Sequence, residues 1–472
     1  MKSKAPLDYL FRPHSIAILG ASANPASKGY DYLKGFLEFD FPGQVYPVNP
    51  KVDEIFGLKA YSHITDIPGE VEYVISCINA RSLIDMMADF SSKGVKAIQL
   101  YSSGFSETGE PDGIALEQEL TKRAGDKGIR VLGPNCMGIH YPNGKMAFGR
   151  ARFSKKDGQV GSLVQSGGHG WHLLCSGSIR GIGFSKIISF GNASDINETD
   201  LLEYLAQDRE TKIITAYIEG IKDGNRFSNV ARTAAQQKPL IVIKGGRTDA
   251  GKRTVASHTG SLAGSNRMWD AFFHQAGIIR AYNLDELIDF LLPFVFFPKI
   301  PKGSVGVVGG GGGASVQAAD DLEYHGLKVP SLPVEIREGL KGFTPLAGSI
   351  LGNPVDTVEM RNPDSFIRTF KLVASWEGVD LMLAHLVVEI AAQWQGQSIL
   401  EGIVNGLLVC KDTIGKPIAV VLQSYGTPKG TAILNNIQKR LANYDIPVYF
   451  TTERAAKAIG TFVKYHKNLL VI

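Results

Sequence analysis

Residues 240–264 read LIVIKGGRTDAGKRTVASHTGSLAG, and this stretch predicts the class of fold. Its first four residues, 240–243, are apolar and predict a buried strand. The remainder is rich in Gly, Ser, Thr, Lys and Arg, which predicts a loop that cannot pack in a core. Such a loop presents backbone N–H groups, hydroxyls and cations above a sheet, and here it carries His258. Phosphate suits this chemistry best, although a mobile, basic surface loop whose histidine has no role fits the same composition.

Length and composition limit the number of domains and the class of protein. A chain of 472 residues is too long for one core, so we expect two to four domains. With 44% hydrophobic and 20% charged residues, the composition is that of a globular protein. A formal net charge of +4 over this length is too weak to indicate binding to nucleic acid or to a membrane surface.

The cysteines and the N-terminus indicate the compartment. Four cysteines, Cys77, Cys136, Cys175 and Cys410, have no metal-ligand spacing, so we expect free thiols in a reducing compartment and no metal site. The first 20 residues lack the long apolar segment of a signal peptide, and no apolar run approaches the length of a membrane span. We therefore expect a cytoplasmic protein.

The first third begins with a strand–helix–strand unit. Residues 15–19 and 44–48 are predicted strands, and the helix between them covers residues 30–39. The first turn contains only Gly20, where a dinucleotide fingerprint has three glycines, and no acidic residue closes the second strand. Lys51 follows that strand instead, which suits a phosphorylated ribose or a diphosphate better than NAD. A Rossmann oxidoreductase is therefore disfavoured.

Polar or small residues follow the later strands of the same unit. Further strands are predicted at residues 71–78, 95–101 and 129–132. Ligands of open α/β sheets bind at the carboxyl ends of the strands, so these ends should line one crevice. The strand ends concerned are Ser76-Cys77-Ile78, Ser102-Ser103-Gly104-Phe105 and Gly133-Pro134-Asn135.

A second unit follows a polar, Gly-containing linker at residues 143–158. Its first strand, residues 159–164, leads through Ser166, Gly167 and Gly168 into a helix at residues 171–179. Such a turn at a helix N-terminus can hold an anion, although a tight turn with nothing bound is the more common case for this motif alone. Glu219 ends another strand of this unit and could accept the second ring N–H of His258; a solvated loop carboxylate is the alternative.

The last third repeats the alternation of strands and helices. A strand at residues 305–308 precedes five consecutive glycines, 309–313, and three more strands are predicted at 381–388, 417–422 and 447–450. The prediction is an α/β protein with a Rossmann-like N-terminal domain and two flavodoxin-like domains. The domain limits that we expect are residues 1–142, 157–298 and 303–472.

In this order, the motifs resemble one family, the nucleotide-diphosphate-forming acyl-CoA synthetases, which include succinyl-CoA synthetase and ADP-forming acetate–CoA ligase. The resemblance covers nearly the whole chain, and the ordered set is specific although each motif alone is not. The CoA-binding domain is indicated by Gly20-Ala21-Ser22, Pro47-Val48-Asn49-Pro50-Lys51, Ser103-Gly104-Phe105 and Gly133-Pro134-Asn135-Cys136. The ligase domains are indicated by Gln165-Ser166-Gly167-Gly168, Tyr217-Ile218-Glu219-Gly220, Ser257-His258-Thr259-Gly260 and Gly352-Asn353-Pro354-Val355-Asp356.

The resemblance implies a role for each matching residue. His258 aligns with the histidine that carries phosphate, and Glu219 with the carboxylate that holds this histidine. Ser166, Gly167 and Gly168 align with the phosphate-binding helix terminus, and Asn135 and Trp171 with substrate contacts. The CoA contacts align with Gly20, Ala21, Ser22, Lys51, Cys77, Ile78, Ser103, Gly104 and Phe105.

The implied function is that of the alpha subunit of an ADP-forming acyl-CoA synthetase, an acid–thiol ligase. It would interconvert acyl-CoA, ADP and phosphate with a small carboxylic acid, CoA and ATP, through an acyl phosphate and a phosphohistidine. The ATP-grasp domain of the family has no counterpart here, so ATP or ADP with Mg2+ should bind mainly to a separate beta subunit, in an α2β2 assembly. A non-catalytic CoA-binding or regulatory module of the same fold is the alternative.

The chain departs from the family just after the turn at residues 166–168. His169, Trp171 and His172 occupy the helix start, where the family tends to small residues. Trp171 lies where succinyl-CoA synthetase has a substrate-contacting tyrosine. We therefore expect an altered acyl pocket, and the sequence does not identify the acid.

Overall fold

The structure is a computed structural model that describes residues 7–149, 157–259, 265–298, 303–357, 362–390 and 397–469. The chain divides into two compact units. One unit is Met1–Ser178 with Gly183–Leu284, and the other is Ile179–Ile182 with Asp285–Ile472. Among the described residues, the first unit holds a five-stranded sheet, a six-stranded sheet and a two-stranded hairpin, and the second unit holds one four-stranded sheet.

The first sheet is parallel and lies within residues 7–149. Its strand order is β2-β1-β5-β6-β7. The strands, with a two-stranded hairpin β3-β4, are β1 (Ser15–Leu19), β2 (Gln44–Val48), β3 (Glu54–Ile55), β4 (Leu58–Lys59), β5 (Tyr73–Ser76), β6 (Ala97–Leu100) and β7 (Arg130–Leu132). The helices are α1 (Lys28–Glu38), α2 (Ala80–Asp85), α3 (Met87–Ser92) and α4 (Pro111–Asp126). Strands β1, β5 and β6 are fully buried, which explains their mostly apolar sequence.

The second sheet is mixed, because one edge strand runs antiparallel to its neighbour. The order is β13-β12-β11-β9-β10-β8, and only β8 is antiparallel among these described strands. The strands are β8 (Gly138–His140), β9 (Val160–Val164), β10 (Phe184–Ser189), β11 (Ile213–Ile218), β12 (Leu240–Lys244) and β13 (Ile279–Ala281). The helices are α5 (Gly167–Ile179), α6 (Glu198–Gln207), α7 (Gly224–Gln237), α8 (Asp249–Thr259) and α9 (Asn266–Ala276).

The third sheet forms the core of the second unit. Its four described strands are parallel in the order β14-β15-β16-β17. They are β14 (Val305–Gly309), β15 (Leu381–Val387), β16 (Ile418–Gln423) and β17 (Val448–Tyr449). The helices are α10 (Leu284–Phe296), α11 (Gly312–Tyr324), α12 (Val334–Lys341), α13 (Pro363–Ser375), α14 (Gln397–Thr413), α15 (Pro428–Asn443) and α16 (Thr452–Leu469). The predicted α/β class is confirmed.

Two local predictions need correction. The polar stretch after β12 was predicted to be a loop, but α8 occupies residues 249–259 of it. Thr248 Oγ1 accepts the Gly251 N–H at 3.1 Å, and Val255 is buried, so a capped first turn and one apolar contact stabilise a helix of polar composition. The helix predicted from residue 171 begins four residues earlier, at Gly167. The predicted linker includes residues 150–156, which lie outside the described residues.

In the described part of the chain, no helix is both long and apolar enough to cross a membrane.

Candidate active site

The turn between β9 and α5 is shaped by close packing. Ser166 Oγ accepts the backbone N–H of His169 at 3.4 Å, which caps the first turn of α5. At Gly167, a Cβ atom would lie 2.7 Å from Met137 Cγ, so glycine allows this close approach. The N–H groups of Gly167 and Gly168 belong to the first turn, where a helix has no internal acceptor for them. The turn therefore offers two donors and a hydroxyl to an anion.

A cavity of about 280 Å³ lies in front of this turn, within the first unit. It is lined from both sheets of the unit, by Tyr101, Ser103, Asn135, Cys136, Met137, Gln165, Ser166, Gly167, Gly168, Gly191 and Asn192. The structure thus brings together five residues that the sequence singled out, namely Ser103, Asn135, Ser166, Gly167 and Gly168. Trp171 is not among these lining residues; its ring centroid lies 6.5 Å from that of Phe148.

Glu219 is held next to the cavity by backbone and side-chain contacts. Only 5% of the residue is exposed. Its Oε1 accepts the Tyr217 hydroxyl at 3.1 Å, and its backbone N–H donates to Gln165 Oε1 at 2.8 Å. Because Gln165 precedes Ser166 and lines the cavity, these contacts fix the carboxylate relative to the anion-binding turn.

Lys244, the last residue of β12, contacts the end of β11 at Glu219. Its Nζ donates to the carbonyl oxygens of Glu219 and Gly245, each at 2.6 Å. Burial lowers the pKa of Lys244 to about 8, although the Glu219 carboxylate opposes the shift. Because the strand register pairs Lys244 with Ile218, the residue before Glu219, the Lys244 side chain can reach the Glu219 carbonyl oxygen.

His258 lies in the last turn of α8, and its side chain lies outside the described residues. The segment 260–264 that follows also lies outside them. Helix α8 lies beside the 3-10 turn Ser106–Thr108 of the first sheet. The predicted contact between His258 and Glu219 therefore stays a prediction.

The predicted CoA residues at β1 and β5 lie together. Gly20 has φ +78°, and a Cβ atom there would lie 3.1 Å from Ile78 Cγ2 and 3.4 Å from the Cys77 carbonyl oxygen. The Ala21 carbonyl oxygen accepts Asn49 Nδ2 at 2.8 Å, and Ser22 Oγ accepts the backbone N–H of Asn24 at 3.0 Å. Glycine at position 20 therefore allows the ends of β1 and β5 to pack closely, and the CoA crevice expected at these strand ends stays a prediction.

Lys51 and Cys77 determine which chemical groups this region offers to a ligand. Lys51 is exposed just beyond β2, where its ammonium can reach solvent and an anion. Burial raises the pKa of the Cys77 thiol to about 12, so this cysteine is neutral and not a nucleophile.

The loop at residues 103–105 is held by Glu107. Glu107 Oε1 accepts the backbone N–H groups of Gly104 at 2.5 Å and Phe105 at 3.2 Å. The Phe105 side chain is fully buried in the core of the first sheet, so Phe105 can reach a ligand only through its backbone. Ser103 remains exposed at the cavity.

Sequence reasoning missed Asn192, which lines the cavity. Its Nδ2 donates to Glu107 Oε2 at 2.6 Å and to the buried Glu117 Oε2 at 2.8 Å. Asn192 follows β10 by three residues, so the rule about strand ends could have found it. Among the described residues, no cluster of three His, Cys, Asp or Glu side chains could hold a metal ion.

Comparisons with known proteins agree with this layout. The model of the CoA binding domain family matches residues 14–142, and that of the succinyl-CoA ligase like flavodoxin domain matches residues 157–293. The alpha subunit of acetate–CoA ligase [ADP-forming] II of Pyrococcus furiosus is 36% identical over 465 residues, which are 98% of each chain. The acetate–CoA ligase [ADP-forming] of Methanocaldococcus jannaschii is 37% identical over 358 residues, which are 76% of this chain and 50% of that protein.

A solved structure supports the same assignment. The dinucleotide-forming acetyl-coenzyme A synthetase 1 of Candidatus Korarchaeum cryptofilum, in complex with phosphate and ADP, has a TM-score of 0.84 and 31% identity to this chain. The match covers 98% of this chain and 97% of that chain. The sequence-based recognition is thereby confirmed, and the chain belongs to the family of alpha subunits of ADP-forming acetate–CoA ligases.

Proposed function

We propose that this chain is the alpha subunit of an ADP-forming acyl-CoA synthetase. It interconverts acyl-CoA, ADP and phosphate with a carboxylic acid, CoA and ATP, through an acyl phosphate and a phosphohistidine at His258. The observation that carries the proposal is the cavity at which the strand ends of the CoA-binding sheet face residues 166–168. An acyl phosphate bound at that turn would present its carbonyl to a thiol arriving from the first sheet.

Each domain binds a different reactant. Residues 1–142 bind CoA through the crevice at Gly20, Cys77 and Ile78, with further contacts from Ala21, Ser22, Lys51 and residues 103–105. Residues 157–298 hold the phosphoryl group at Ser166, Gly167 and Gly168. Asn135 contacts the acid from the lining of the cavity. The family resemblance gives Trp171 the same role, although Trp171 is not among the lining residues. Residues 303–472 form the second ligase domain.

Phosphoryl transfer requires positioning and charge neutralisation. The donors at the N-terminus of α5 supply both for the phosphoryl oxygens. The Glu219 carboxylate accepts one ring N–H of His258, which leaves the other nitrogen as the nucleophile. The contacts of Glu219 with Tyr217 and Gln165 support this role, since they hold the carboxylate at one place.

The nucleotide and Mg2+ bind mainly to an ATP-grasp beta subunit in an α2β2 assembly. The P. furiosus relative at 36% identity is itself named an alpha subunit, and this supports a partner subunit. The four cysteines form no disulfide, and this supports a cytoplasmic location.

The test combines the chain with its ATP-grasp partner and Mg-ATP. We expect one acid-labile, base-stable phosphate by mass spectrometry, absent in His258→Asn and present in His172→Asn, which removes an exposed histidine of α5. His258→Asn should also abolish turnover while CoA binding survives. Phosphate on neither protein, with CoA still bound, would identify a CoA-binding module instead of a synthetase subunit.

A further inference from the structure

His169 is held beside the anion-binding turn, and the proposed function gives it no role. Its Nδ1 lies 3.1 Å from Ser166 Oγ, and its backbone N–H donates to the same oxygen at 3.4 Å. Its ring stacks on that of Tyr217, with 4.1 Å between centroids and 20° between planes. The stack on Tyr217 and the contact between Nδ1 and Ser166 Oγ together fix the orientation of the imidazole.

The hydrogen-bonding capacity of the serine decides what it offers to the cavity. A hydroxyl has one O–H donor and two lone pairs, and the backbone N–H of His169 takes one of these lone pairs. If Nδ1 has no proton, the hydroxyl donates to it and presents only a lone pair to the cavity. If Nδ1 carries a proton, it donates to the second lone pair, and the O–H is free to donate elsewhere.

We propose that His169 is a positioning residue whose Nδ1 proton turns the Ser166 hydroxyl toward a phosphoryl anion in the cavity. This rests on the proposed function, which places phosphate at the turn. Phosphate oxygens that carry charge accept hydrogen bonds, so the anion selects the state with the proton on Nδ1. By linkage, bound phosphate and the Nδ1 proton stabilise each other.

Titratable and charged groups surround this contact. From β11, Tyr217 covers the ring and donates to the Glu219 carboxylate, and from β12, the Lys244 ammonium donates to the Glu219 carbonyl oxygen. Ser166, which directly precedes α5, contacts Nδ1, and His172 is exposed on α5 one turn after His169. Imidazolium always carries the Nδ1 proton, whereas neutral imidazole shares its proton between two nitrogens. Phosphate should therefore bind more tightly when His169 is an imidazolium than when its imidazole is neutral.

The test measures the Kd of inorganic phosphate by calorimetry, on the chain in complex with its ATP-grasp partner, from pH 5.5 to 8.5. His169→Leu and Ser166→Ala should each weaken binding about 10-fold, the expected loss of one hydrogen bond to a charged group. The double variant should bind no worse than Ser166→Ala. His169→Asn, whose amide can donate like Nδ1–H, should retain affinity and lose the part of the pH dependence that belongs to His169. His274→Leu, at an exposed histidine of α9, is the matched control and should bind as wild type.

Each contrary result has one meaning. If His169→Leu weakens binding as much in the Ser166→Ala background as alone, then His169 does not act through Ser166 and the inference is wrong. If wild type forms phosphohistidine but binds no phosphate, the inference is wrong and the proposed function stands. If wild type forms no phosphohistidine, the proposed function fails. Spectra of 15N-labelled histidine then decide the inference alone, since added phosphate must protonate Nδ1 of His169.

Discussion

Asn192 Nδ2 donates a hydrogen bond to Glu107 Oε2 at 2.6 Å, and this contact joins the cavity to the loop at residues 103–105. Glu107 uses its other oxygen to hold the backbone N–H groups of Gly104 and Phe105. One amide therefore connects a strand end of the second sheet with a proposed CoA loop of the first.

Asn192→Ala should weaken CoA binding and lower stability. The change leaves two neighbouring carboxylates, Glu107 and the buried Glu117, without their shared donor. We expect a loss of about 2 kcal/mol in the free energy of unfolding and roughly 10-fold in CoA affinity. Urea denaturation and calorimetry with CoA check this, with Asn225→Ala, an exposed asparagine of α7, as control. Wild-type CoA affinity in Asn192→Ala would show that the loop does not depend on this amide.

Tyr217→Phe should slow phosphoryl transfer without disturbing the fold. The phenyl ring keeps the stack on His169, and only the hydrogen bond to Glu219 Oε1 is lost. The rate at which Mg-ATP and the partner subunit phosphorylate the chain should fall about 10-fold, the kinetic equivalent of one hydrogen bond. Rapid-quench measurement of phosphohistidine gives this rate. An unchanged rate would mean that Glu219 needs no help from Tyr217.

The sequence predicted the α/β class and five lining residues of the cavity, because both follow from local patterns. Apolar runs such as residues 213–218 become buried parallel strands, and polar residues after them lie at one edge of a sheet. Ser103, Asn135 and residues 166–168 needed nothing more than this rule.

The contacts that hold the site are long-range, and no local pattern contains them. Asn192 and Glu107 are 85 residues apart, and they meet only because the two sheets of the first unit pack together. Helix α8 was missed for a different reason: its sequence is polar and contains Gly251, and its N-cap and Val255 stabilise it in context.

Gly191→Ala should be strongly destabilising. Gly191 has φ +55°, and a Cβ atom there would lie 2.1 Å from the Pro134 carbonyl oxygen, which cannot move aside as a side chain can. We expect a loss of about 1–3 kcal/mol or more in the free energy of unfolding, as for other overpacked sites. Gly125→Ala is the matched control, because a Cβ in that α4 position meets nothing within 4 Å. Thermal and urea unfolding of both variants check the contrast, and equal stability would contradict it.

Asp289→Ala should destabilise the second unit. Asp289 is buried between two guanidinium groups, with Oδ1 2.7 Å from Arg180 Nη1 and Oδ2 2.5 Å from Arg454 Nε. Removal of the carboxylate leaves buried positive charge uncompensated, at a cost of about 3–5 kcal/mol. Asp285 is exposed and 3.8 Å from Arg454, so Asp285→Ala should cost less than about 1 kcal/mol. Urea denaturation of both variants measures these losses. Similar losses would contradict the prediction that the buried carboxylate contributes more to stability than the exposed one.

His140 should make the chain less stable at acidic pH. The imidazole is fully buried between Phe39 and Phe148, and neither ring nitrogen has a hydrogen-bond partner in the described part of the chain. Burial lowers its pKa from 6.5 to about 4. The unfolded chain therefore binds a proton that the folded chain does not, and stability falls as pH drops from about 6.5 towards 4.

The size of this effect can be measured against His140→Phe, which keeps an aromatic ring in the same cluster. At pH 5 the folded wild type should have lost about 2 kcal/mol relative to neutral pH through this group, and the variant should not lose it. Urea denaturation at pH 5 and 7 gives the comparison. Since Phe cannot titrate, an equal fall in both proteins would show that other groups cause the acid sensitivity. A smaller fall in the variant would assign the difference to the imidazole.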